Sequence, residues 1–217
     1  MDPTAYWQKH AQAFAGLYEK PTWFNRVFRK AMYLRTRMAV DAIRATPGAS
    51  VLDIGCGPGG NSVLFIKEGL ADRVVGVDLS ENMIAMANEL ARRHGVEDRC
   101  EFVTGDFMDY NLGSQKFDYC VALGVMDYIR DPVPMLAKVC NATRRQFMAT
   151  YPSSAPVRMM LRRIRYRLRG SNVFAFSPHR IAQILEQAGF ARHRVVRCTL
   201  AGWMGYAGPI PTSQEAE

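Results

Sequence analysis

Val51-Leu52-Asp53-Ile54-Gly55-Cys56-Gly57-Pro58-Gly59-Gly60 is the stretch on which the fold turns. A short apolar run carrying an acid leads into four glycines and one proline within six residues, and residues 61–69 then read as a helix. This is a strand, a tight turn and a helix in succession. Glycines at such a joint let the chain reverse sharply and let backbone approach a bound molecule.

Outward from that joint the same alternation repeats. Val74-Val75-Gly76-Val77-Asp78 reads as a second strand, and Ser80 stands where it can cap a helix over 81–94. Residues 100–104 read as a third strand, 117–123 as a fourth, 133–139 as a helix and 146–150 as a fifth strand. Helices alternating with short apolar strands predict an α/β protein with a parallel sheet covered on both faces. Upstream, two helices are expected over 4–19 and 22–46, the second with Trp23, Val27, Phe28, Ala31, Leu34 and Met38 near the helical period. Downstream come a cationic helical stretch at 157–169, a helix over 178–188 closed by Gly189, and two final strands at 193–200 and 203–207. The chain divides into a helical lid (1–47), a core (48–150), a cap helix with C-terminal strands (151–208) and a polar tail (209–217) of one domain.

Composition narrows the class. The 217 residues are 48% hydrophobic and 22% charged, an ordinary globular balance that excludes wholesale disorder. No run of roughly 18 apolar residues reads as a membrane span. Residues 1–20 carry Tyr6, Lys9, His10 and Glu19 with no apolar core, so no secretory leader is expected. The five cysteines are scattered and never form a C-x-x-C pair, which fits reduced thiols, a cytoplasmic setting and no metal site. The net charge of +8 is uneven: 8 basic and 3 acidic groups in 1–50, 10 and 14 in 51–150, and 10 and 3 in 151–217. An acidic middle lies between basic flanks.

Two ligands compete for the glycine loop. Gly55-x-Gly57-x-x-Gly60 with Asp78 downstream satisfies the dinucleotide pattern, which would make the chain an NAD-dependent reductase. Against this, Pro58 removes one of the N–H groups a pyrophosphate needs, and Asp53 would set a carboxylate beside two phosphates. The same acid suits a cationic, phosphate-free ligand such as S-adenosylmethionine. Asp53 and the glycines suit its methionine end, and Asp78 can accept both ribose hydroxyls. Asp106, after the third strand, can accept the adenine amine, with Phe107 and Met83 as apolar walls. Three acids, each following a successive parallel strand, face the carboxyl edge where such sheets bind ligands.

The glycine loop, Val77-Asp78-Leu79-Ser80-x-x-Met83, Gly105-Asp106-Phe107 and Phe117-Asp118-x-x-x-Ala122-Leu123-Gly124-Val125 together resemble the successive motifs of the class I S-adenosylmethionine-dependent methyltransferases. Within that family the chain looks most similar to small-molecule enzymes of the ubiquinone and magnesium-protoporphyrin type. The resemblance implies a Rossmann-like, doubly wound, seven-stranded sheet, mostly parallel with its last strand antiparallel. It also implies an N-terminal helical lid, to which Tyr6 and Arg37 contribute, and adds Leu79 and Leu123 to the cofactor contacts. It puts Asp127 and Tyr128 near the transferred methyl group as base or orienting groups, and the plainer alternative is that Asp127 caps the turn before Ile129-Arg130-Asp131-Pro132. His179, after Ser177-Pro178 at a helix start, is a second candidate, with an ordinary surface position as its alternative.

The acceptor is less defined. After the fourth strand, Leu123-Gly124-Val125-Met126-Asp127-Tyr128 lacks the Asn/Asp-Pro-Pro-aromatic loop of nucleic-acid amino-methylating enzymes, and no Pro-Cys dipeptide suits cytosine carbon methylation. With those marks absent, the family resemblance implies a small-molecule acceptor methylated at oxygen, with a non-catalytic cofactor-binding protein as the alternative. Arg158, Arg162, Arg163, Arg165, Arg167 and Arg169 make 157–169 a densely cationic amphipathic stretch. It suits capture of an anionic acceptor, contact with an anionic membrane surface, or a plain solvated face. A nucleic-acid partner is disfavoured because aromatic residues are sparse there.

Overall fold

The structure is a computed structural model and describes residues 23–43, 48–153, 172–199 and 202–208. The expected helix at 4–19 with Tyr6, the cationic stretch at 157–169 and the tail at 209–217 lie outside the described residues.

Helix α1 (Trp23–Ile43) leads into strand β1 (Ala49–Ile54), helix α2 (Gly60–Lys67) and strand β2 (Ala71–Asp78). Helix α3 (Glu81–Arg93), strand β3 (Cys100–Thr104) and strand β4 (Phe117–Ala122) follow. Helix α4 (Val133–Ala142) runs into strand β5 (Thr143–Pro152), and helix α5 (Pro178–Gln187) precedes strands β6 (Arg192–Thr199) and β7 (Gly202–Gly208). The seven strands pair in the order β3-β2-β1-β4-β5-β7-β6. β1 to β5 are parallel, and β7 runs antiparallel to both β5 and β6. This is the Rossmann-like sheet with an antiparallel last strand that the motifs imply. β5 begins three residues before the expected Gln146, since Thr143 already pairs with Phe117 while Arg144 and Arg145 reach solvent.

Strand periodicity sorts the core into two layers. Val51, Val74, Tyr119, Val121 and Met148 face one side and pack with Ala39 and Ile43 of α1, Phe65 and Ile66 of α2 and Ala91 of α3. Their chain neighbours Leu52, Val75, Cys120, Ala122 and Phe147 face the other side, against Leu136 of α4 and Ile181, Ile184 and Leu185 of α5. Each strand interior is therefore apolar at consecutive positions, as a sheet buried on both faces requires. Helices continue the pattern: Ser80 accepts from the Met83 amide at 3.4 Å and Ser177 from that of Arg180 at 3.2 Å, capping α3 and α5.

The topology fixes where a ligand can sit. The sheet winds from β1 toward β2 and β3 on one side and toward β4 and β5 on the other, so β1 and β4 flank the reversal point. A crevice opens at the carboxyl ends of parallel strands at such a point. Among the described residues no helix is long and apolar enough to cross a membrane.

Candidate functional site

The glycine loop forms one wall of that crevice. Gly55, Gly57 and Gly59 all have positive φ, at 66°, 54° and 77°, where other residues are strained. At Gly55 space adds to the constraint, because a Cβ there would collide with Cγ2 of Val125. The loop after β1 thus touches the segment after β4 across the reversal point. Nothing lies within 4 Å of a Cβ position on Gly57, so that backbone faces open space.

Four amides of this loop, those of Gly55, Cys56, Gly57 and Gly59, are engaged internally. Gly55 and Cys56 amides donate to the Val77 carbonyl at 2.7 and 3.2 Å, and the Gly59 amide donates to the Cys56 carbonyl at 3.1 Å. The Gly57 amide donates to Oδ2 of Asp78 at 2.9 Å, and Pro58 has no N–H. A pyrophosphate would need those hydrogens pointing outward. The donor set of the loop fits a dinucleotide poorly.

It does fit a ligand held by acceptors. Asp78, at the tip of β2, is half-buried and takes the Gly57 amide on one oxygen and the Ser80 amide on the other, both at 2.9 Å. Each carboxylate oxygen keeps a further lone pair for a hydroxyl donor. Burial raises its pKa against the pull of those two amide bonds. Asp106, one residue past the Gly105 that follows β3, is exposed, and its Oδ1 accepts the Met108 amide at 2.8 Å in a tight turn. Asp53 lies beneath the loop, 1% exposed, with Oδ2 accepting from the Ser62 hydroxyl at 2.7 Å. Burial drives its carboxyl up to about 7, the Ser62 bond opposes the rise and the nearby Asp78 charge adds to it. Asp53 is therefore closed off behind the loop and is not an open contact. Cys56 is buried between the two acids and its thiol is pushed up by burial and then by both charges, so it is no nucleophile.

Several expected contacts are placed differently from their sequence reading. Phe107 and Met83 are buried, at 6% and 2% exposed. Phe107 belongs to the core layer of α4 and α5. Leu79 and Leu123 are half-buried at the tips of β2 and β4. Arg37 is exposed and 3.9 Å from Asp41, one turn along α1. Among the described residues Arg35 approaches the crevice, with its Nη1 3.9 Å from a Cβ position on Gly124.

Asp127 is buried in a single 3-10 turn, Met126–Tyr128, whose carbonyl at Asp127 accepts the Phe174 amide at 2.8 Å. At the start of α4, Asp131 Oδ1 accepts the Val133 amide at 3.2 Å. Tyr128 is half-buried beside Asp127. His179 is exposed on the first turn of α5, 3.1 Å from Nε2 of Gln183, and is a surface histidine of that helix.

Three contributors had weak signals. Ser62 is wholly buried, a lone hydroxyl in the apolar run Val63-Leu64-Phe65-Ile66, nine residues after the acid it serves. Thr150 holds the loop after β4 by accepting the Gly124 amide at 2.8 Å. Thr36 of α1 donates to Asn61 of α2 at 2.8 Å, which seats α1 beside the crevice. Neither of these last two pairs is marked by local sequence. Among the described residues no cluster of His, Cys, Asp or Glu is built to hold a metal.

Comparison with known proteins agrees with this geometry. Residues 45–189 match the family described as methyltransferase domain. Trans-aconitate 2-methyltransferase of Azoarcus sp. (strain BH72) is 39% identical over 127 residues, covering 57% of this chain and 47% of that protein. The 24-methylenesterol C-methyltransferase 2 of Oryza sativa subsp. japonica is 32% identical over 98 residues, covering 45% of this chain and 27% of that protein. The chain thus spans less than half the length of either curated relative. The crystal structure of magnesium protoporphyrin IX methyltransferase from Synechocystis PCC 6803 with bound S-adenosylhomocysteine superposes with a TM-score of 0.79 at 20% identity, over 95% of this chain and 98% of that one. By family and by fold, the chain belongs to the class I S-adenosylmethionine-dependent methyltransferases.

Proposed function

We propose that this chain transfers a methyl group from S-adenosylmethionine to a small, anionic acceptor at oxygen, in a cytoplasmic setting. The observation that supports the cofactor is the donor–acceptor balance of the crevice: the amides of Gly55, Cys56, Gly57 and Gly59 are engaged, and Asp78 and Asp106 present acceptors at the tips of successive strands. In this reading Asp78 takes the ribose hydroxyls, Asp106 the adenine amine, and Gly55 and Gly57 pass beneath the methionine moiety. Asp53 supplies negative potential behind it.

Bound S-adenosylmethionine carries a methyl carbon activated by positive sulfur; the acceptor oxygen donates a lone pair to it as the carbon–sulfur bond breaks and its electrons return to sulfur. Most of what the protein adds is alignment of the two partners. A carboxylate acceptor needs no base, whereas a hydroxyl acceptor needs its proton removed, and Asp127 with Tyr128 beside it is the pair assigned to that step. Arg35, beside Gly124, supports an anionic acceptor at the mouth of the crevice. The deciding experiment has two arms. Calorimetric titration should show binding of S-adenosylhomocysteine and none of NADH. A panel of carboxylate- and hydroxyl-bearing small molecules with methyl-labelled S-adenosylmethionine should yield an alkali-labile methyl ester or a stable ether. Cofactor binding without transfer to any acceptor would favour a non-catalytic binding protein.

A further inference from the structure

We propose that Lys138 of α4 is a positioning residue for cofactor specificity: its ammonium group holds the turn that aims Asp106 at the adenine amine. The inference rests on the assignment of Asp106 to that amine. Lys138 Nζ donates to the carbonyls of Phe107, Met108 and Tyr110 at 2.6, 2.8 and 2.6 Å. An ammonium has three hydrogens, and all three are satisfied by one short stretch of backbone. The same nitrogen stands 4.9 Å from the centre of the Phe107 ring.

The geometry is that of a tether. The segment between β3 and β4 has no helix or strand over its course from Gly105 to Lys116. Its first turn closes on Asp106, whose carbonyl accepts the amides of Asp109 and Tyr110, both at 3.0 Å, while its carboxylate accepts that of Met108. Three carbonyl oxygens converging on one point repel each other unless a cation lies between them. Charge-assisted bonds to that cation outweigh the repulsion and fix the turn against α4. Lys138 is half-buried, so solvent weakens these bonds less than it would on an open surface. The turn that carries Asp106 is thereby tied to a helix packed on the sheet.

The test compares S-adenosylhomocysteine with its 6-deamino analogue, which lacks only the exocyclic amine. If Asp106 accepts that amine, the native protein should prefer the parent compound about 10- to 100-fold, the weight of a hydrogen bond to a charged group. Asp106→Ala should bring the two affinities together. Lys138→Met keeps the apolar stem against Phe107 and removes the ammonium; it should also reduce the preference to a few-fold or less. In the same variant the Asp109 and Tyr110 amides should exchange hydrogen faster. A lysine that only stabilises the fold would lower the melting temperature and leave the ratio of affinities intact. That result, with the preference lost in Asp106→Ala, overturns the role of Lys138. A preference that survives Asp106→Ala overturns the adenine assignment, and the inference with it.

Discussion

At the scale of the residue, what decides the site is which lone pairs and hydrogens remain for a ligand. Asp78→Ala removes two acceptors from the ribose position and the anchor of the Gly57 and Ser80 amides, so S-adenosylhomocysteine affinity should fall by roughly 1.5–3 kcal/mol in calorimetric titration. Asp53 makes a different prediction. Its carboxyl sits at about 7 instead of 3.8 because of burial, so the fold loses stability as pH rises between those values and holds a proton over much of that window. In the proposed pose S-adenosylmethionine brings positive sulfur toward that carboxyl and favours its ionised form, so binding should expel the proton. Affinity should climb with pH, by at most about tenfold per unit, and level off above pH 7. Asp53→Asn should flatten the profile; an equally steep rise in that variant would assign the titration to Asp78. The acids were legible because each stands in or within three residues of the end of an apolar run. Direction was not legible. Arg35 and Arg37 are two positions apart on one helix, hence roughly 200° apart in azimuth, and composition alone cannot say which faces the crevice. Phe107 and Met83 read as apolar walls, yet their side chains are buried in the protein.

Elements were easier to read than their pairing. β3 begins and ends where its apolar residues predict, since Gly105 closes it, and helices α3 and α5 start at their capping serines. That β7 inserts between β5 and β6 follows from long-range register that no local pattern carries. Arginines on edge strand β6 illustrate the point: Arg194 lies over its cross-strand partner Tyr206 and Arg197 over Trp203, at 5.0 and 4.5 Å, pairs that exist only once the register is set. The amino end of the central pair has its own lock. Asp118 of β4 accepts the Ser50 amide and hydroxyl of β1 at 2.9 and 2.7 Å, and its own amide donates to that hydroxyl at 3.0 Å. Burial alone would raise this carboxyl, but the Ser50 bonds and the charges of Arg144 and Arg145 outweigh it and hold it below its ordinary value. The stabilisation is therefore complete above the unfolded pKa and disappears as pH falls through the lower folded one. Asp118→Ala should cost roughly 1.5–3 kcal/mol in urea unfolding at neutral pH, with the gap to the native protein closing in acid. S-adenosylhomocysteine affinity should not change, because the lock lies at the opposite edge of the sheet from the crevice.

At the scale of the whole molecule, charge is arranged in blocks. Residues 51–150 hold 10 basic and 14 acidic groups, whereas residues 151–217 hold 10 and 3, so the segment after β5 is strongly positive in sequence beside an acidic cofactor half. Asp78 and Asp106 are assigned to the cofactor in the proposed reading, and the same reading gives the acceptor to Arg35 and to the cationic stretch 157–169, which lies outside the described residues. A carboxylate- or phosphate-bearing molecule would be drawn toward it and gripped by guanidinium forks. Of the 28 basic residues most are arginines, the side chain suited to such planar contacts. Replacing Arg158, Arg162 and Arg165 together with Gln should raise the acceptor KM while S-adenosylhomocysteine affinity stays constant. Added salt should mimic the substitution in the native protein and have little further effect in the variant, since exposed charges are screened beyond about 10 Å at 0.1 M. The measurement also separates the two other uses of such a segment. A KM unchanged at low salt, with binding to anionic lipid vesicles lost, would make it a membrane-surface element. If neither KM nor vesicle binding moves, the arginines form a solvated face and the acceptor owes its grip to Arg35 and the segment after β4.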